Sequence, residues 1–113
     1  MKILTAIIQP EKLSEVKEAL VEAGIAKMTI SPVSGCGQQG GWTETYHGTV
    51  EEINLIKKVR IEIFLNNEYV DKAIQTIVKA ARTGNIGDGK IIVRAIEQCI
   101  RIRTGEEGES AIG

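Results

Sequence analysis

Two stretches of this chain, residues 2–9 and 91–95, carry apolar side chains on both sides of an extended backbone, yet only two segments read as helices able to cover them. In residues 2–9, Ile and Leu fall on both faces, and residues 91–95 are wholly apolar apart from Arg94. The first helix is predicted over residues 11–23, where Leu13, Val16, Leu20 and Ala23 recur at helical spacing. Pro10 suits its first turn, because its φ is already set and its missing N–H is not needed there; Gly24 can adopt the positive φ that stops it. The second helix is predicted over residues 69–81, on the stripe Val70, Ala73, Ile74, Ile77, Val78 and Ala81.

Two further strands are predicted. Residues 27–33 hold Met28, Thr29 and Ile30 ahead of Pro32. Leu55–Leu65 alternates, with Val59, Ile61, Ile63 and Leu65 on one face and Lys58, Arg60, Glu62 and Phe64 on the other. The order is therefore β-α-β, β-α-β, the ferredoxin-like split βαβ arrangement: an α+β fold with an antiparallel sheet and both helices on one face. The other face needs a cover, most simply another copy of the chain. This pattern gives self-association without a copy number. The chain's 113 residues fit a single domain, 1–113, with a core of modest margin. Residues 98–103 read as a last extended piece, and the polar tail after them is expected to be mobile.

Charge excludes some classes of partner. With 14 Lys and Arg against 15 Asp and Glu, nothing in the balance attracts nucleic acid or an anionic membrane in general, so any anion site must be local. Positive charge gathers at Lys57, Lys58 and Arg60, and at Arg101 and Arg103. Cys36 and Cys99 lack the spacing of a zinc site or a disulfide framework and read as free thiols in a reducing compartment. The first residues run straight into a strand pattern, without a signal-peptide h-region, and no 18-residue apolar run occurs. A cytoplasmic protein without membrane insertion is expected.

Three motifs offer chemistry. Gly84, Gly87 and Gly89 precede Lys90 in a turn-rich segment, residues 83–90. Glycines there can turn several N–H groups into one concavity for anionic oxygens, with Lys90 adding charge; the same residues also make an ordinary surface turn. No Ser or Thr follows Lys90, so this is not a Walker A loop. Arg101 and Arg103, two apart in an extended piece, would share a face and match a polyphosphate; alternatively they protect a solvated edge strand. The GxGxxG spacing of Gly35, Gly37 and Gly40 is followed by no hydrophobic helix, which sets aside a dinucleotide fold; these glycines instead open a long loop. In that loop Trp42 and Tyr46 either meet a partner or fold back on the body, and His47 has no companion ligands for a metal.

The chain resembles the PII nitrogen-signalling family over nearly its whole length. The likeness lies in residues 8–13 (IQPEKL), in Gly24-Ile25 followed by Met28-Thr29-Ile30, in residues 83–91, and in residues 100–106 (IRIRTGE). It implies a regulatory homotrimer rather than an enzyme, with ATP and ADP competing for clefts between subunits. Gly87, Asp88, Gly89 and Lys90 of the B-loop (83–90) would hold phosphates, Arg101 and Arg103 of the C-terminal loop (101–109) would reach the same phosphates, and Thr29, Gly35 and Phe64 would line the adenine end. Gly37 and Gln38 would complete the nucleotide contacts. The resemblance also implies 2-oxoglutarate bound through Mg2+ on the ATP phosphates, with Gln39 joining the metal, Lys58 pairing the distant carboxylate, and Gly40, Gly41 and Gly87 nearby. The loop at about 37–54 matches the family's T-loop, which engages targets such as an ammonium transporter, another transporter or a metabolic enzyme; Trp42, Tyr46, His47 and Glu51 would face that target.

Departures from the family pattern sit mostly in this loop. Gln38 replaces a usual Arg, Gly40 and Trp42 replace Lys and His, and Phe64 replaces a smaller aliphatic residue. Glu51 stands where many members carry a modifiable Tyr, which removes uridylylation at that position. A paralogue sensing adenine nucleotides alone, with a different target, stays open. So does a small phosphoryl hydrolase on the same fold, although no nucleophile stands beside a base.

Overall fold

β1 (Lys2–Ile8) and β3 (Leu55–Leu65) form the centre of a four-stranded sheet, with β2 (Thr29–Cys36) and β4 (Gly89–Ala95) at its edges. The structure, a computed structural model, describes residues 1–36 and 55–113. Every neighbouring pair is antiparallel, in the order β2-β3-β1-β4. Each βαβ unit thus has its two strands split by a strand of the other unit, the ferredoxin-like arrangement.

α1 (Leu13–Glu22) follows a 3-10 turn at Pro10–Lys12, and α2 (Val70–Ala81) follows another at Asn67–Tyr69. Gly24, at φ +87°, closes α1: its N–H donates to Val21 O at 2.9 Å and that of Ile25 to Leu20 O at 2.8 Å. Between helices and sheet lies one core. Leu4, Ala6 and Ile8 of β1 and Val59, Ile61, Ile63 and Leu65 of β3 meet Val16 and Leu20 of α1 and Ala73, Ile77 and Ala81 of α2. Burying residues of this size contributes about 1.5–3 kcal/mol for each large side chain.

The opposite face reads in rows fixed by the strand register. One row is Ser31, Arg60, Ile7 and Lys90; the next is Thr29, Glu62, Thr5 and Ile92; the third is Phe64, Ile3 and Arg94. Phe64 is 51% exposed and Ile92 47%, so apolar and charged groups share a face that no helix of the described residues covers.

Several bounds differ from the sequence expectation. β2 runs on to Cys36, because Pro32 sits on an edge strand, where a missing N–H interrupts less pairing. β4 begins at Gly89, since this glycine, at φ +104°, pairs with Ile8. The largest correction falls at the end of the chain. Residues 98–103 are not extended: Gly105 N–H donates to Arg101 O at 2.7 Å, Ile100 bridges to Glu107, and residues 102–104 form a turn. The two arginines therefore do not share a strand face. The polar tail carries a short helix, α3 (Glu109–Ile112). Gly105 and Gly108, at φ +76° and +85°, supply the bends.

Candidate functional site

The loop of residues 83–90 is shaped from within by one carboxylate. Asp88 accepts from the Thr83 hydroxyl at 2.5 Å, from Thr83 N–H at 2.8 Å and from Gly84 N–H at 2.9 Å. The Thr83 hydroxyl in turn accepts from Asn85 N–H at 3.1 Å. These bonds, the Thr83 hydroxyl first, hold the Asp88 carboxyl below the usual carboxylate range. The amides of residues 83–85 are thus committed inside the loop, and the Asp88 side chain is a scaffold. An anion at this loop would therefore have to use amides further along.

Gly89 is required by close approach as well as by its φ. A Cβ there would lie 1.8 Å from the Ile7 carbonyl oxygen. The loop is consequently fastened to β1. Lys58, on β3, fastens it again by donating to Gly87 O at 2.6 Å. With Arg60 and Lys90 in one row and Lys58 beyond them, three cations occupy the same face at this end of the sheet. Arg60, which the sequence shows only as part of a positive run, is brought beside the loop by that register.

Gly35, paired with Ile56, lies at this loop end too, whereas Thr29, Phe64, Arg101 and Arg103 lie at the opposite end. Thr29 pairs with Glu62, and Phe64 follows one row on. Gly35 lies six positions beyond Thr29 along β2, and Phe64 six positions beyond Lys58 along β3, a span of about 20 Å at ~3.3 Å per residue. Gly35 therefore shares no pocket with Thr29 and Phe64 in one chain. Arg101 is tied to this far end too, because its guanidinium binds the carbonyls of Ser110 and Gly113, whose neighbour Glu109 meets Asn66 just past β3. Arg103 lies in the adjoining turn. A concavity of about 330 Å³ opens here, lined by Phe64, Asn66, Tyr69, Ile112 and Gly113 among others. Beside the loop at the first end, α2 and β4 border another of about 260 Å³, lined by Ile7, Ile74, Val78 and Lys90 among others.

Glu62 was not a sequence candidate. Its carboxylate accepts from Thr5 Oγ1 at 3.4 Å and lies 3.8 Å from Arg94, beside Thr29. The only advance signal was its place on the outward face of β3, between Arg60 and Phe64. Gly37, Gln38, Gln39, Gly40, Gly41, Trp42, Tyr46, His47 and Glu51 lie outside the described residues, as does the whole loop 37–54. Among the described residues no group of three or more His, Cys, Asp or Glu side chains gathers to hold a metal. Cys36 and Cys99 are free. No helix of the described residues is long and apolar enough to cross a membrane.

Fold and site together define a ferredoxin-like α+β protein whose sheet carries a glycine loop held by Lys58 at one end and the Arg101 turn at the other. A family model for nitrogen regulatory protein P-II matches residues 1–106, and the chain belongs to that family. It is 56% identical over 112 residues to "Nitrogen regulatory protein P-II" of Rhodobacter capsulatus, covering 99% of this chain and 100% of that one. It is 52% identical to "Nitrogen regulatory protein P-II 2" of Methanothermobacter thermautotrophicus, covering 99% and 97%. It is 50% identical to "Nitrogen regulatory protein P-II" of Nostoc punctiforme, covering 99% and 100%. The resemblance drawn from residues 8–13, 83–91 and 100–106 thus names the right family, and the chain is a regulatory protein rather than an enzyme.

Proposed function

We propose that this chain is a nucleotide-responsive regulator in nitrogen or carbon metabolism, working as a homotrimer in the cytoplasm. ATP or ADP binds in the clefts between copies. The observation that carries this reading is the separation of the two halves. The glycine loop with Lys58, Gly35 and Lys90 stands at one end of the sheet, and Thr29, Phe64 and Arg101 at the other. A nucleotide bridging both halves must lie between two copies set head to tail, and head-to-tail contacts close into rings. In this reading three copies close the ring.

In this reading Gly87, Asp88 and Gly89 offer backbone amides to phosphate oxygens, and Lys90 and the neighbour's Arg101 and Arg103 neutralise them. Glu62 of the same half as Thr29 is an acceptor suited to an exocyclic amine. Mg2+, held by the phosphates and Gln39, would let a dianion sit beside a triphosphate, with Lys58 near the second carboxylate of 2-oxoglutarate. The loop 37–54 then presents Trp42, Tyr46, His47 and Glu51 to a target protein such as a transporter or a metabolic enzyme. Ligand state selects the loop's shape only as far as the ligand's affinity differs between shapes.

Isothermal titration of the full chain with ATP and with ADP tests the nucleotide site, and sedimentation equilibrium tests the assembly. Absence of binding at millimolar nucleotide would sink the reading. Titrating 2-oxoglutarate with and without Mg-ATP separates a full sensor from an adenine-nucleotide sensor. The same titration on Lys58→Ala should lose 2-oxoglutarate binding; an unchanged affinity removes Lys58 from that role.

A further inference from the structure

Arg101 is already occupied. Its Nη1 donates to the Glu106 carboxylate, and its Nη2 donates to Ser110 O at 2.9 Å and to Gly113 O at 3.2 Å. A guanidinium offers a phosphate two bidentate forks, Nη1 with Nη2 and Nε with Nη2, and each needs a hydrogen of Nη2. Both hydrogens of that nitrogen are committed to carbonyls of the C-terminal segment. Bidentate capture of a phosphate by Arg101 therefore requires at least one of those carbonyls to be released.

What else secures the segment is slight. α3 has no buried residue. Gly108 N–H donates to Cys99 O at 3.0 Å, Asn66 Nδ2 to Glu109 O at 3.2 Å, and Lys27 Nζ to Gly113 O at 2.9 Å. Glu106 itself is held in front of Arg101, its carboxylate accepting from Thr104 Oγ1 at 3.0 Å and its own backbone O accepting from Arg101 N–H at 2.9 Å. It presents to Arg101 the same kind of anionic oxygen that a phosphate would.

We propose that a polyphosphate and the C-terminal segment, residues 106–113, compete for Arg101. Ligand binding then undocks the segment, and Glu106 sets the affinity by acting as the resident anion. The device makes the end of the chain a reporter of nucleotide occupancy, separate from the loop 37–54. It rests on the nucleotide reading above.

The test pairs ATP titration with amide hydrogen exchange on the full-length chain. In the wild type, saturating ATP should speed exchange of the Gly108 and Ala111 amides, which donate to Cys99 O and Gly108 O. Glu106→Gln should bind ATP more tightly, by about 2- to 5-fold for removal of a partly exposed ionic competitor. Circular dichroism and thermal melting confirm that this variant is folded. If Glu106 were merely structural, the variant would exchange faster at residues 106–113 with no gain in ATP affinity, and the proposal would be overturned. It is equally overturned if wild-type ATP binding leaves those amides as protected as before or more so. A wild type that binds no ATP overturns the nucleotide reading, and this inference with it.

Discussion

The two ends of the sheet are built in different ways. At the loop end the backbone carries the shape: Gly89 at φ +104° against the Ile7 carbonyl, Gly87 O held by Lys58, and Asp88 tying residues 83–84 together. At the far end one side chain carries it, since Arg101 gathers Glu106, Ser110 and Gly113 through bonds that, in the proposal above, another anion replaces. An end that presents amides must be fixed in advance, because amides cannot reach for a ligand. An end that brings charge can be held provisionally, because a long guanidinium can change partners.

The sharpest way to break this contrast is Gly89→Ala. Its Cβ would overlap the Ile7 carbonyl at 1.8 Å, and the destabilisation should exceed about 3 kcal/mol or prevent folding, read by urea unfolding. Gly35→Ala, whose Cβ meets nothing within 4 Å among the described residues, should shift stability by no more than ~0.5 kcal/mol in the same assay. A mild Gly89→Ala would mean the loop end is not fixed by backbone approach.

Arg101→Ala comes next. Losing a charge-assisted contact to phosphate should weaken ATP by about 10- to 100-fold in calorimetry, while residues 106–113 exchange faster even without ligand. Arg101→Lys should recover little, because an ammonium lacks the fork. Lys58→Ala removes the partly buried bond to Gly87 O and should cost about 1 kcal/mol of stability, with faster exchange confined to the loop 83–90.

The smallest effect concerns pH. Asp88 is held below its ordinary value of 3.8, so its contribution to stability is present above that pH and is lost as pH falls through the lowered folded value. The difference in unfolding midpoint between wild type and Asp88→Asn should therefore be full at pH 6 and fade below pH 3.8. A difference that persists unchanged into strong acid would show that the loop is not organised by this carboxylate.

How much of this was legible in the sequence follows the same division. β3 could be read end to end, Leu55 to Leu65, because alternation over eleven residues is a repeated signal. α2 likewise declared itself through Val70, Ala73, Ile77 and Ala81. The B-loop was legible as glycines, although not the reason for Gly89, which depends on a carbonyl more than eighty residues earlier in the chain. The C-terminal segment was misread, because Arg101 finds its acceptors nine and twelve residues on, with no periodicity to announce it. Gly105 and Gly108 were the available hints. Glu62 escaped because only the register of β2 against β3 sets it beside Thr29.

The stretch of β3 between Lys58 and Phe64 also has a genetic meaning. In the proposed ring each chain lends one end to the neighbour on its left and the other end to the neighbour on its right. Two defective alleles, one damaged at the glycine loop and one at the arginine turn, would restore a working cleft wherever their sound ends met. Chains damaged twice would restore none.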